Sequence, residues 1–186
     1  LSDKTLWSWG SNSSGQLGDG TQINRWLPTD ITTFFNLSDG INVIDLSAGP
    51  EHSMALLSGG TVMSWGENWQ GRLGDGTGGD RYTPVAVAGL SGCVAIDAGY
   101  HHSLALLSNG NLMVWGGDSW GMLGQGRSVA AQYNPVTVPS LSSGNVMAVS
   151  SMGFHSLALL SDGTVVSWGN NELGQIGNSS FENVYT

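Results

Sequence analysis

The side chains best suited to moving a proton or holding a metal are four histidines, and three of them are copies of one another. His52, His102 and His155 each open the phrase His-Ser-apolar-Ala-Leu-Leu. Three equivalent residues in three copies are expected to satisfy buried backbone groups, not to share one reaction. A zinc site needs three or four converging ligands, and no Cys pair or His pair at ligand spacing accompanies them. His101 alone is unrepeated, and neighbours such as His101 and His102 on a strand point to opposite faces. Gly18-Asp19-Gly20-Thr21 and Gly74-Asp75-Gly76-Thr77 carry one carboxylate each, and later copies hold Gln125 and Asn178 there. Calcium requires several oxygen ligands in close succession, so these segments read as turns. Cys93, the single cysteine, sits in the apolar run Cys93-Val94-Ala95-Ile96 and reads as a small buried hydrophobe. Neither a Gly-x-Ser-x-Gly elbow nor a Walker loop is present. No catalytic residue, metal or cofactor is expected.

The elements that would position such residues follow from a second repeat. Trp9-Gly10, Trp65-Gly66, Trp115-Gly116 and Trp168-Gly169 each begin a polar loop that closes on Gly-x-apolar-Gly, at intervals of 50 to 56 residues. A fixed period of that length marks stacked supersecondary units. The His-Ser run leads to Gly59-Gly60, Asn109-Gly110 or Asp162-Gly163, then to a short run ending at the tryptophan, which is a hairpin signature. The first copy has Asp3-Lys4 at this turn. Further strands are signalled by Pro84-Val85-Ala86-Val87 and Pro135-Val136-Thr137-Val138, and by Val43 to Leu46, Val94 to Asp97 and Val146 to Val149. The tryptophan strands are apolar on both faces, as in sheets buried on both sides. Four short strands per period make a propeller blade, so the fold expected is an all-β, β-propeller.

The Trp-Gly-x-Asn-x-x-Gly-Gln-Leu-Gly phrase, the Pro-Val strand, Ala-Gly-x-x-His-Ser-x-Ala-Leu and the Asp-Gly turn resemble the regulator of chromosome condensation repeat. The resemblance covers the whole chain and implies a partial ring of about 3.5 four-stranded blades, where the family closes with seven. Residues 1–186 read as one partial propeller with repeats near 5–60, 61–110, 111–163 and an incomplete 164–186. A segment of a longer chain, or two copies closing one ring, would account for the half count. Exposed blade faces make an isolated half-ring prone to association.

Repeated positions, Trp9, Trp65, Trp115, Trp168, His52, His102 and His155, are assigned to the scaffold. Positions that differ between copies are left for recognition. These are Pro50-Glu51, Tyr100-His101 and Gly153-Phe154 before each His-Ser, and Trp69 and Trp120 in the Trp-Gly loops. A six-residue insertion between Pro28 and His52 adds Phe34 and Phe35. Aromatic residues on loops are favoured anchors for a protein partner. The partner-binding set is therefore Phe34, Phe35, Glu51, Trp69, Tyr100, His101, Trp120 and Phe154.

Charge and resemblance narrow the alternatives. With 5 Lys and Arg against 14 Asp and Glu, the net charge of −9 offers no footprint for a phosphate backbone. No apolar run approaches the ~20 residues needed to span a bilayer. The plant ultraviolet-B receptor of this family senses light through Gly-Trp-Arg-His-Thr phrases, and the equivalent stretches here lack both tryptophan and arginine. Sialidases are also propellers, but Ser161-Asp162-Gly163 compresses their Asp-box and the four arginines are scattered. Family precedents imply protein binding: nucleotide exchange factors, modules in ubiquitin ligases, and a secreted bacterial enzyme inhibitor. The expected function is a non-catalytic protein-binding or surface-display scaffold. The alternatives are a signalling module of the guanine-nucleotide exchange type and a carbohydrate-binding propeller using Trp69 and Trp120. Few lysines with abundant Ser, Gly, Asn and Thr point to an exported or cell-surface prokaryotic setting. Asn12, Asn36 and Asn178 lie in Asn-x-Ser/Thr triplets that short polar loops produce by chance.

Overall fold

A computed structural model describes residues 5–35, 37, 40–127 and 130–185. The first hairpin turn at Asp3-Lys4 and the triplet at Asn36 lie outside these residues. Thirteen strands form four antiparallel sheets, with only short 3-10 turns between them and no α-helix among the described residues. The first sheet pairs β1 (Trp7–Gly10) with β2 (Arg25–Asp30). The second orders β3 (Val43–Ala48), β4 (His52–Leu57), β5 (Val62–Gly66) and β6 (Arg81–Ala86). The third repeats this with β7 (Cys93–Ala98), β8 (His102–Leu107), β9 (Leu112–Gly116) and β10 (Gln132–Thr137). The fourth joins β11 (Val146–Met152), β12 (His155–Leu160) and β13 (Val165–Gly169), and Gly169 bridges Val184 where a fourth strand would run. This is a β-propeller, with each sheet a blade.

Every sequence repeat is divided between two sheets. The Trp-Gly phrase ends the third strand of one blade, its loop leads to the outer strand, and the chain then enters the next blade at its inner edge. Covalent connection thus runs across every joint between blades. The strand before the Asn-Gly-type turn is buried along its whole length in the second blade, with all of His52–Leu57 covered, because a sheet lies against each face. Met54, Leu56, Val62, Cys93, Ile96 and Trp115 form one core between the second and third blades, and Leu104, Leu112, Val114, Leu123, Val138 and Trp168 form the equivalent core one joint further on. Near the inner strands, Asp97 ties three blades together. It accepts a hydrogen bond from the Ser47 hydroxyl at 2.9 Å and another from the Ser151 amide.

The joints explain the repeated residues. The indole N–H of Trp65 donates to the Gln16 carbonyl at 2.8 Å, that of Trp115 to Arg72 at 2.9 Å, and that of Trp168 to Met122 at 2.8 Å. Each ring lies over a glycine of the preceding loop, and a Cβ at Gly18, Gly74 or Gly124 would sit 2.7–2.9 Å from the indole nitrogen. The histidines bond the next blade's serine: His52 Nε2 to Ser103 Oγ and His102 Nε2 to Ser156 Oγ, both at 2.8 Å. They therefore satisfy a side-chain hydroxyl, where backbone groups were the sequence expectation. Ser103 Oγ donates its own proton to the Arg72 carbonyl, so it accepts from His52, whose proton must be on Nε2. Gly49 and Gly99 leave room for these rings, since a Cβ on Gly99 would lie 2.7 Å from His102 Nδ1. Two repeated residues depart from the scaffold pattern. Trp9 is 61% exposed, and no serine bonds His155 among the described residues, because no other described blade lies against either.

Candidate partner-binding site at the loop ends

In an antiparallel blade the turns between first and second strands and the loops between third and fourth emerge at the same end. That end carries Glu51, Tyr100, His101 and Phe154 from the turns, and Trp69 and Trp120 from the Trp-Gly loops. Three of the loops are built by a buried Asn, and the loop carrying Trp120 uses buried Asp118, which accepts from Leu123 N at 2.8 Å. Asn68 Oδ1 accepts from Leu73 N at 3.0 Å while its Nδ2 reaches Asp75 and the Thr77 and Gly79 carbonyls. Asn12 and Asn171 do the same in their loops. The Asp-Gly-Thr segments lock the loop base. Asp75 Oδ1 accepts from the Thr77 amide and hydroxyl, and Oδ2 pairs with Arg81 Nε at 2.7 Å. Asp19 makes the same contacts with Thr21 and Arg25. These carboxylates are consumed by turn chemistry, and no group of three or more metal-ligating side chains occurs among the described residues.

Five rings from three blades meet on this framework. Trp69 packs edge-on to His101 at 4.9 Å between centroids and His101 edge-on to Tyr100 at 4.5 Å, while Tyr100 and Phe154 at 5.0 Å and Phe154 and Trp120 at 4.5 Å meet at a tilt. Trp69 is 53% exposed and the other four are half-buried. Such offset contacts add roughly 0.5–1.5 kcal/mol each beyond burial, so the cluster holds its own shape. The two indole N–H groups and the Tyr100 hydroxyl have no hydrogen-bond partner among the described residues.

Beneath the rings lies Arg72, fully buried. Four guanidinium hydrogen bonds run to Trp69 O at 3.3 Å, Glu51 Oε2 at 3.1 Å, Tyr100 O at 3.0 Å and His101 Nδ1 at 2.8 Å, and Glu67 Oε2 forms an ion pair 2.7 Å from the guanidinium. Because Nδ1 accepts, His101 is the neutral Nε2–H tautomer. Burial, aided by the Arg72 charge, lowers its pKa to about 4. Burial, with the Glu51 carboxyl beside it, raises the pKa of Glu67, while the Glu67 carboxyl and the Arg72 guanidinium lower that of Glu51. A fixed cation, a carboxyl pair and a neutral imidazole thus orient the aromatic surface.

Phe34 and Phe35 do not join this cluster. They form a 3-10 turn at Thr32–Phe35 on the outer side of the first joint. Phe35 is buried edge-on against Trp65 at 5.4 Å, so it is a core residue and not an exposed anchor. Phe34 lies against the Gly20 loop, 38% exposed. Glu51 belongs to the site as a support of Arg72 instead of a surface contact. Arg72 fills a repeated loop position, which masks its role in the sequence. The signal was there: the equivalents are Gln16, Met122 and Gln175, and only this copy is charged.

A blade-by-blade array of this kind defines a propeller repeat protein. The family profile for the Regulator of chromosome condensation (RCC1) repeat matches residues 3–56, 59–106 and 109–159, and the chain belongs to that family. It is 33% identical over 183 residues to the E3 ubiquitin-protein ligase HERC2 of Homo sapiens, covering 96% of this chain and 4% of that protein. It is 33% identical over 171 residues to the Ultraviolet-B receptor UVR8 of Arabidopsis thaliana, covering 91% and 38%. The structure of Prp20p from Saccharomyces cerevisiae, described with its binding to Gsp1p and histones, superposes with a TM-score of 0.85 at 30% identity, covering 99% of this chain and 45% of that one. Yeast RCC1 (Prp20) bound to Kap60 gives 0.83 at 28%, covering 99% and 44%. The chain therefore spans less than half of each of these proteins. No helix among the described residues is long and apolar enough to cross a membrane.

Proposed function

We propose that this chain is a non-catalytic protein-binding scaffold whose recognition surface is the ring cluster Trp69, Tyr100, His101, Trp120 and Phe154. One observation carries the reading. The aromatic residues that vary between copies, and so are not needed to build a blade, converge from three blades on one patch above a fully buried arginine. Trp and Tyr around a preorganised centre are the side chains that dominate protein interfaces. The relatives support the class, since Prp20p is described as binding Gsp1p and histones and was crystallised with Kap60. Selecting a displayed-peptide library on the immobilised chain, then titrating the winners by fluorescence anisotropy, tests the site. Trp69→Ala and Phe154→Ala are expected to abolish binding, while Met147→Ala, at an exposed apolar residue of β11 beside the Asn109-Gly110 turn, is expected to leave it intact. Selected peptides indifferent to both ring variants would reject the assignment.

A further inference from the structure

The ring cluster sits in a field of acceptors, and the cation beneath it is enclosed. The charged groups acting on His101, Glu51 and Glu67 are Arg72 and the carboxyl groups of Glu51, Glu67 and Asp80. Glu51 and Glu67 each place Oε2 on the Arg72 guanidinium, at 3.1 and 2.7 Å, and still leave 35% and 30% of their side chains exposed. Arg72 has no exposed side-chain surface and meets His101 at the ring edge, through Nδ1. Its charge is therefore covered, while both carboxyl groups that pair with it reach solvent.

Gln70, between Trp69 and Gly71, adds an acceptor that lacks a donor. Its Oε1 is buried without a hydrogen-bond partner among the described residues, and a Cβ on Gly117 would collide with it and lie 3.4 Å from the His101 Cβ. Two further arginines, Arg25 and Arg81, are held at their loop bases by Asp19 and Asp75. The patch thus joins two indoles, a phenol, a phenyl ring and a neutral imidazole to carboxyl groups that face solvent.

Resting on the function proposed above, which makes this cluster the recognition surface, we infer that the side chain it anchors is cationic: an arginine or lysine on a segment of the partner protein. A cation gains most over the face of Trp, then of Tyr or Phe, within about 6 Å of the ring centroid. His101, neutral because its Nδ1 accepts from Arg72, does not repel it. Glu51 and Glu67 supply the opposite charge at the border, and the net charge of −9 draws a basic segment in from a distance. The indole N–H groups of Trp69 and Trp120 and the Tyr100 hydroxyl are left for the backbone carbonyls of that segment. A phosphate or carboxylate would instead meet the carboxyl groups, with Arg72 already enclosed. An apolar or proline-rich anchor would use the rings and leave the carboxyl groups without a role.

The displayed-peptide selection decides between these anchors when the chain is kept wild type and the peptide is changed. Peptides that lose binding to the Trp69→Ala and Phe154→Ala chains are expected to share an arginine or lysine. Replacing that arginine by citrulline, or that lysine by norleucine, removes the charge at nearly the same shape and is expected to weaken binding about tenfold by fluorescence anisotropy. Added salt is expected to weaken the charged peptide more than its neutral counterpart. Ring-dependent peptides without a basic residue, or ones that accept citrulline or norleucine without loss, would overturn the cationic anchor and leave the recognition surface standing. An empty selection, or binders indifferent to both ring variants, would overturn both.

Discussion

Acidification should unfold this chain through its repeated histidines. His52 and His102 are completely buried, and each donates from Nε2 to a serine while its Nδ1 faces no donor. Burial, first of all, lowers both pKa values from 6.5 to about 3. The unfolded chain therefore binds more protons between those limits, so stability is complete above pH 6.5 and falls as the pH drops toward 3. At about 1.4 kcal/mol per pH unit, each ring costs about 2 kcal/mol at pH 5, or about 4 kcal/mol for the pair. That is a large share of the roughly 5–15 kcal/mol typical of a domain. Half-exposed His101 acts in the same direction with less effect, and Glu67, whose pKa is raised, acts against it. Urea unfolding at pH 7.5, 6 and 5 measures the slope. His102→Gln keeps a donor toward Ser156 without the titrating ring, and is expected to remove close to half of the loss between pH 6.5 and 5. A stability unchanged over that range, or a His102→Gln slope equal to that of the wild type, would refute the buried-neutral assignment.

The scaffold gives further expectations. Trp115→Ala, at a fully buried joint, should cost about 3–5 kcal/mol, whereas exposed Trp9→Ala should cost under about 1 kcal/mol, as thermal denaturation would show. Gly99→Ala should destabilise strongly because its methyl would strike His102; Gly79→Ala, with open space around it, should fall within about 0.5 kcal/mol of wild type. Arg72→Met should loosen the ring cluster and leave Glu51 and Glu67 without their cation, costing about 3 kcal/mol and weakening any peptide that binds the patch. Cys93, buried and pushed up to about 11, should react with an aromatic disulfide reagent only at the rate of unfolding.

The fold was legible because each blade writes its own turn chemistry: Asn109-Gly110 and Asp162-Gly163 at the hairpin, glycine under each indole, histidine opposite each serine. Sequence could not show that Trp9, identical in phrase to Trp65, Trp115 and Trp168, is exposed where they are covered. Burial there depends on a neighbour and not on the residue. The recognition patch was half legible. Variation between copies singled out Trp69, Tyr100, His101, Trp120 and Phe154, but their meeting point depends on the angle between blades. Phe35 was misread because a loop insertion can fold back onto a neighbouring tryptophan as readily as it can project. Arg72 was hidden because its backbone carbonyl serves the joint while its side chain serves the site.

The eight indole N–H resonances report on scaffold and surface at once. In a nitrogen-correlated spectrum of the labelled chain, titration with a selected peptide should shift the Trp69 and Trp120 indole signals and leave those of Trp65, Trp115 and Trp168 in place. Shifts confined to the buried joint tryptophans, with Trp69 and Trp120 unmoved, would contradict the assignment of repeated residues to the scaffold and variable ones to recognition.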